Sequence, residues 1–400
     1  MKDKKIIVGI TGGIAAYKAA ELVRLLMKAN AQVRVAMTGN AVRFITPLTL
    51  EALSGNRVIW DMWGQVETTI DHITYGQESD LIIIAPATAN IIAKMAHGIA
   101  DDFISTMVVA ATAKILVCPS MNDQMLMNPA VQNNLRILND RNFEVMETGE
   151  GQLACHSEGP GRLPEPQEIA EHAWTLLSPQ DLSGQKVLVT AGPTVEPIDP
   201  VRYISNRSSG RMGFALAKAA RRRGASVTLV SGPVSLMPPY GVTFIPVKTA
   251  EEMRNTVLEN RPGCDIIIKA AAVSDYRPKE SAQQKIKKGP DSLSLDLVKN
   301  PDILSELGDT KKKFPCVLVG FAAETEDLLA NAEAKLKAKN LDMIVANDVS
   351  RDDAGFETDT NIVKMIFADG HVEDSPLMTK DEVADLVLDR IKSLKDGNGN

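Results

Sequence analysis

The chain has 400 residues, 44% hydrophobic and 24% charged, the proportions of a globular protein rather than a disordered or fibrous one. At about 150 residues per domain, that length predicts two domains or three. Lysine plus arginine number 44 against 51 aspartate plus glutamate, a formal charge of −7. This balance argues against a general nucleic-acid binder and leaves local basic loops for small phosphate esters.

Four cysteines (Cys118, Cys155, Cys264, Cys316) stand far apart, which points to a reducing compartment and away from a disulfide framework or zinc site. The apolar run Ile6 to Ile10 is too short for a signal peptide, and no run is long enough to span a membrane. The expectation is a cytoplasmic protein with no membrane partner.

In chain order, the first predicted elements are a strand over Lys5 to Ile10, a glycine turn, an amphipathic helix over Ala15 to Lys28, and a strand over Gln32 to Met37. Buried strands follow at Leu81 to Ala85, Ile115 to Cys118 and Phe143 to Met146. The Gly/Pro-rich stretch Gly149 to Leu163 reads as a mobile flap. Ser178-Pro-Gln-Asp-Leu-Ser-Gly184 is a linker, so the domains are expected at 1–180 and 181–400.

The plan then reopens with a strand over Lys186 to Thr190, a long polar loop, a helix over Met212 to Arg223 and a strand over Ser226 to Ser231. Strands at Val242 to Val247, Ile266 to Lys269, Val317 to Val319 and Met343 to Ala346 follow. Two βαβ openings predict two doubly wound α/β domains, each with a sheet covered on both faces. Asn361 to Phe367 with Asp369-Gly370 reads as an antiparallel hairpin, Lys380 to Leu394 as a closing helix, and Lys395 to Asn400 as a frayed tail. Arg221-Arg222-Arg223 before Gly224 need only the helix dipole.

A glycine turn before a helix offers N–H groups to a phosphate, and it serves equally as a tight turn with no ligand. Gly9-Ile-Thr-Gly12-Gly13 lacks G-x-G-x-x-G spacing. The second strands end in Met37-Thr38-Gly39 and Val230-Ser231-Gly232, without the acid that an NAD ribose would meet. Thr11, Thr38, Thr88 and Asn90 set hydroxyls and an amide at strand ends, which suits a mononucleotide phosphate and an isoalloxazine edge. NAD is disfavoured and FMN allowed.

Four motifs occur in one order: Thr11-Gly-Gly-Ile-Ala-Ala-Tyr-Lys18, Pro86-Ala-Thr-Ala-Asn90, Pro119-Ser-Met-Asn122 with Met125, and Ala154-Cys155 leading to Gly159-Pro-Gly-Arg162. This half resembles the FMN-dependent cysteine decarboxylases that make 4′-phosphopantetheine. The second half carries Ala191-Gly-Pro-Thr194, Asp199 to Asn206, Ser208 to Gly213, Ala270 to Asp275 and Lys285-Ile-Lys-Lys288. It resembles phosphopantothenate–cysteine ligase. Together they resemble the fused bifunctional family of bacterial coenzyme A synthesis over essentially the whole chain.

The resemblance implies a flavodoxin-like FMN domain followed by a Rossmann-like nucleotide domain. It implies FMN contacts at Gly12, Gly13, Ile14, Thr38, Thr88, Ala89 and Asn90. CTP contacts are implied at Ala270, Ala271, Asp275, Lys285, Pro301, Asp302, Ile303, Leu304, Phe321, Lys335 and Lys339, with Mg2+ at Asp275 through the nucleotide. It further implies a dodecamer built from decarboxylase trimers and ligase dimers.

The chemistry gives these residues tasks. Decarboxylating an N-acyl cysteine requires an electron sink, which a flavin supplies by oxidising the thiol to a thioaldehyde. The family assigns His72 as base, although an isolated histidine is more often structural. Asn122, beyond a strand end, either binds the substrate carboxylate or caps the next helix. Cys155 is the proton donor by resemblance, and its polar surroundings are unlike a cysteine's ordinary core position. Two departures from the family pattern are Leu126, where an aromatic residue is common, and His156, where glycine is common.

Ligation requires the carboxylate oxygen to become a leaving group, with cations and Mg2+ around a triphosphate. The basic loop Lys279 to Lys288 suits that role or a merely solvated charge run. Lys285 serves the first half-reaction by resemblance, and Asn206, otherwise a turn former, binds the acyl-cytidylate. Lys335 and Lys339 lie four apart on one helix face. The substrates so implied are 4′-phosphopantothenate, cysteine and CTP. Two rivals are a flavin oxidoreductase using NAD(P)H and a non-catalytic flavoprotein that regulates a partner. The missing acids count against the first, and His72, Asn122 and Cys155 against the second.

Overall fold

In the computed structural model the described residues are 1, 3–63, 71–152, 158–287, 294–324, 328–348 and 360–397. They divide into two units, Met1–Ser178 and Pro179–Asn400, each organised on its own largely parallel sheet.

In the first unit, the strands are β1 (Lys5–Ile10), β2 (Gln32–Met37), β3 (Val58–Ile59), β4 (Leu81–Ala87), β5 (Lys114–Pro119) and β6 (Glu144–Val145). Their order is β3-β2-β1-β4-β5-β6, all parallel. β4 is buried along its whole length because helices cover both faces, hence its unbroken apolar sequence. Leu22, Val23 and Leu26 of helix Lys18–Lys28 pack on one face with Ile169 and Ala173. Ile91, Ile92, Ile104 and Met107 pack on the other.

Three expectations are adjusted here. The helix expected from Ala15 starts at Lys18, because Ile14–Tyr17 winds as a tighter 3₁₀ turn on leaving the glycines. The strand expected over Phe143 to Met146 pairs only at β6. Within the Gly149 to Leu163 stretch, β7 (Gly149–Gln152) and β8 (Glu158–Arg162) form an antiparallel pair.

The second unit contains β9 (Lys186–Ala191), β10 (Val195–Pro197), β11 (Tyr203–Ser205), β12 (Ser226–Ser231), β13 (Thr243–Pro246), β14 (Ile266–Lys269), β15 (Tyr276–Pro278) and β16 (Leu297–Lys299). It continues with β17 (Val317–Glu324), β18 (Met343–Asp348), β19 (Thr360–Asn361), β20 (Val363–Phe367), β21 (Val372–Asp374) and β22 (Met378–Thr379). The main sheet runs β13-β12-β9-β14-β17-β18-β20-β21, antiparallel only where β20 and β21 join as a hairpin. β10 pairs with β11, β15 with β16, and β19 with β22.

The closing helix Lys380–Gly397 runs into the tail expected to fray. Its Val383, Val387, Leu388 and Ile391 share one core with Val187 of β9 and Leu216 of helix Arg211–Arg222. The helix-dipole account of the arginine triplet is also corrected. Arg223 is buried and bridges Asp181 at 2.6 Å and Asp389 at 2.7 Å, since a buried guanidinium requires carboxylate partners. That guanidinium holds Asp181 below the usual carboxylate range. Among the described residues no helix is long and apolar enough to cross a membrane.

Candidate active site

Strand order in the first unit reverses between β1 and β4, the position at which doubly wound sheets open a crevice at their carboxyl edge. Thr11 follows β1, Thr38 follows β2, Thr88 follows β4, and Asn122 lies just beyond β5. Thr11 Oγ1 donates to the Pro86 carbonyl at 2.7 Å and accepts from the Thr88 N–H at 3.0 Å, joining two of these ends. A Cβ on Gly12 would stand 2.5 Å from Asn40 Cβ, so glycine lets the loop after β2 close in.

Helix Ala89–His97 begins at this edge, with no side chain capping its N-terminus. Threonine hydroxyls, turn amides, that helix end and the exposed Ile14 form a donor set with an apolar wall. The set fits a phosphorylated planar cofactor such as FMN.

His72 lies in the first turn of helix Asp71–Glu78, partly buried. That helix packs on Phe103–Ala110 through an edge-to-face contact of Tyr75 with Phe103 at 5.7 Å. Thr74 and Tyr75 of this helix line a pocket with Lys5 to Ile7 and Gln32 to Arg34, at the amino ends of β1 and β2, so the structure does not bring His72 to the threonines of the carboxyl edge.

Asn122 Oδ1 accepts from the Gln124 N–H at 2.9 Å and caps helix Asp123–Met127, as the capping alternative expects. The Met121 N–H donates to the Gly161 carbonyl at 3.0 Å, which seats β8 beside Asn122. A Cβ on Gly161, at φ +124, would stand 2.2 Å from the Met121 carbonyl oxygen, so only glycine permits this approach. Met121 packs into the core and Met125 is exposed. Leu126 is buried. Cys155 and His156 lie outside the described residues.

In the second unit a cavity of about 480 Å³ opens at the carboxyl edge of β14 and β17. Asn206, Ala271, Asp275, Leu304, Phe321, Lys335 and Lys339 all line it. Lys335 and Lys339 remain in helical register, since the Lys339 N–H donates to the Lys335 carbonyl at 3.0 Å. Lys339 pairs with Asp302 at 2.8 Å, and Asp302 also caps helix Ile303–Asp309. Burial works to raise Asp302, but the Lys339 ammonium and the Ser305 N–H prevail and hold it below the usual carboxylate range. The Asn206 amide donates to the Ala272 carbonyl at 3.3 Å and the Val273 carbonyl at 3.1 Å, tying β11 to the loop after β14.

Asp275 is an exposed carboxylate on this cavity. Among the described residues no group of three metal-ligating side chains gathers anywhere. One carboxylate nonetheless suits Mg2+, which retains waters and leans on phosphate oxygens. Ile303 is buried and Pro301 partly so, and neither lines the cavity.

Lys285 is exposed and does not line the cavity. Its loop is held by a clamp of the buried Asp199 and the exposed Arg202. Asp199 accepts from Arg202 Nη2 at 2.6 Å and from the Ile286 N–H at 3.1 Å, while Arg202 donates to the Ile286 carbonyl at 3.0 Å. Arg202 first, then the surrounding N–H donors, hold Asp199 well below the usual carboxylate range.

An adjoining cavity of about 140 Å³ shares Ala271, Ala272, Phe321 and Ala322 and contains Ala270. It ends on Ser208, Ser209 and the N-terminus of helix Arg211–Arg222, which no side chain caps. Asn347 Oδ1 is buried there with no hydrogen-bond partner, and buried Lys380 donates to Asn361 at 3.0 Å. Sequence reasoning missed Asn347, Lys380 and Lys269. The only local signal was Lys269, a lysine closing an otherwise apolar strand.

Residues 1–178 match the family described as Flavoprotein, and residues 182–394 match DNA/pantothenate metabolism flavoprotein C-terminal domain. A Bacillus subtilis (strain 168) relative named coenzyme A biosynthesis bifunctional protein CoaBC is 46% identical, over 100% of this chain and 99% of its own. A Haemophilus influenzae relative of the same name is 48% identical, over 98% of each. The crystal structure of the C-terminal domain of a protein of that name is 43% identical, covering 55% of this chain and 99% of its own, with a TM-score of 0.47.

Proposed function

The chain belongs to the family of coenzyme A biosynthesis bifunctional proteins, and from that premise we propose that it makes 4′-phosphopantetheine in two steps, one per unit. The 179–400 unit joins 4′-phosphopantothenate to cysteine using CTP. The 1–178 unit then decarboxylates the product with FMN.

The observation that carries this reading is the convergence of Asn206, Asp275, Lys335 and Lys339 on one cavity, next to a second that ends on an uncapped helix N-terminus. Such a terminus, with Lys380 beside it, suits the substrate phosphate. The pantothenate carboxylate then points along the shared wall toward the nucleotide.

The carboxylate oxygen attacks the α-phosphorus of CTP, and pyrophosphate leaves. The cysteine amine next attacks the acyl carbon, and CMP leaves. Lys335 and Lys339 would offset the charge of the triphosphate, and Asp275 would hold the Mg2+ that neutralises the rest. Asn206 holds the acyl-cytidylate, and Lys285 on its clamped loop serves the first of these steps. Ala270, Ala271, Phe321 and the Pro301 to Leu304 segment form the nucleotide's remaining contacts.

In the first unit Gly12, Gly13, Ile14, Thr38, Thr88, Ala89 and Asn90 hold FMN. When bound, it supplies the two-electron sink that N-acyl cysteine lacks. His72 takes the thiol proton, the Asn122 amide anchors the carboxylate, and Cys155 returns a proton to the carbon that loses carbon dioxide. The seat of β8 beside Asn122 supports their shared site.

From the family resemblance alone, the assembly is proposed as a homo-oligomer, a dodecamer of decarboxylase trimers and ligase dimers in the cytoplasm. The test is mass spectrometry of products from 4′-phosphopantothenate, cysteine and CTP. Phosphopantetheine with CMP and pyrophosphate is expected. Accumulated phosphopantothenoylcysteine would remove the decarboxylase half, and unreacted substrates would remove the ligase half.

A further inference from the structure

Lys269 closes β14, whose Ile266 to Ile268 are fully buried. Ile267 packs beneath the helices that carry Leu304 and Leu336, and residues two apart on a strand share a face. Lys269 therefore faces those helices and lines the 480 Å³ cavity. Its Nζ donates to the Ala271 carbonyl, a neutral acceptor, at 3.3 Å. Among the described residues no carboxylate forms an ion pair with it.

The charged groups around it are Lys335 on helix Leu328–Ala338, Lys339 just past the end of that helix, Asp302, which is already paired with Lys339, and Asp275 and Arg207, which also line the cavity. Burial first, and Lys339 second, push the Lys269 amine down to about 8. A largely buried amine without an anion beside two other amines opposes its own charging, and a polyanion in the cavity removes that opposition.

We propose that Lys269 is a third cationic ligand for the triphosphate of the nucleotide, acting with Lys335 and Lys339. The proposal rests on reading this cavity as the CTP site. It assigns Lys269 to the phosphate tail rather than to the nucleoside, because only the tail carries enough negative charge to offset three clustered amines.

The test is calorimetric titration of the full-length enzyme with CTP and with CMP, each with Mg2+, in wild type and in Lys269→Met, which keeps the length of the side chain. CTP affinity should fall about tenfold or more and CMP affinity less than about twofold. Lys269→Arg should recover part of the CTP affinity. Wild-type CTP affinity should weaken as pH rises through about 8, and that dependence should vanish in Lys269→Met.

If Lys269→Met does not fold, Lys269→Gln is read in its place. Equal losses for CTP and CMP, or unchanged CTP binding, would overturn the role of Lys269. A wild type that binds no CTP, or a Lys335→Ala/Lys339→Ala double variant that binds it normally, would overturn the nucleotide reading itself.

Discussion

The Asn206 amide points at two main-chain carbonyls, so a carboxylate there would face like charge before any substrate arrived. Asn206→Asp should cut ligation by about 10–100-fold, with pyrophosphate release from 4′-phosphopantothenate and CTP better preserved than transfer to cysteine. Lys285→Gln should instead depress pyrophosphate release itself, and normal ligation in both variants would remove the two residues from the site. In the other unit, Cys155→Ser should release carbon dioxide but leave the carbon unprotonated, since serine is a far weaker acid. Phosphopantetheine formed at the wild-type rate would exclude the thiol.

Asp199 carries a pH signature. Its folded carboxyl is held below its unfolded value, so the stability it contributes is present above about pH 4 and is lost as pH falls further. Thermal midpoints of wild type and Asp199→Asn should differ at neutral pH and converge in acid. A gap that stays constant with pH would show that Asp199 adds nothing through its charge.

Elements buried on both faces announce themselves, because each residue of β4, and of β14 as far as Ile268, must be apolar wherever helices lie above and below. The pairing of β7 with β8 is different. Gly149 to Arg162 shows no alternation, and the pairing depends on the Met121 backbone, far away in sequence. Arg223 likewise looked like a helix terminus because its partners, Asp181 and Asp389, are distant in sequence. Motif residues at strand ends were legible by order, whereas Asn347 and Lys380 enter their cavity through tertiary packing alone. The β8 seat can be tested directly. Gly161→Ala adds a Cβ at positive φ against the Met121 carbonyl and should lower decarboxylation about tenfold or more while ligation continues. Unchanged decarboxylation would mean that the hairpin's position does not matter to the reaction.

At the scale of the molecule, the unit boundary at Ser178 separates two units, each with its own pair of hydrophobic cores and its own candidate site. The Asn206 and Lys285 variants should therefore retain FMN and still decarboxylate supplied phosphopantothenoylcysteine. Loss of that activity in either would contradict independence. The last helix has a consequence for biosynthesis. Val187, at the start of the second sheet, shares its core with Val383, Leu388 and Ile391, and Arg223 waits for Asp389. A nascent second unit cannot complete that core until helix Lys380–Gly397 has left the ribosome. The first unit emerges whole much earlier, so at roughly 5–20 residues per second it has on the order of 10–40 s to fold and acquire its flavin while the rest is still being synthesised.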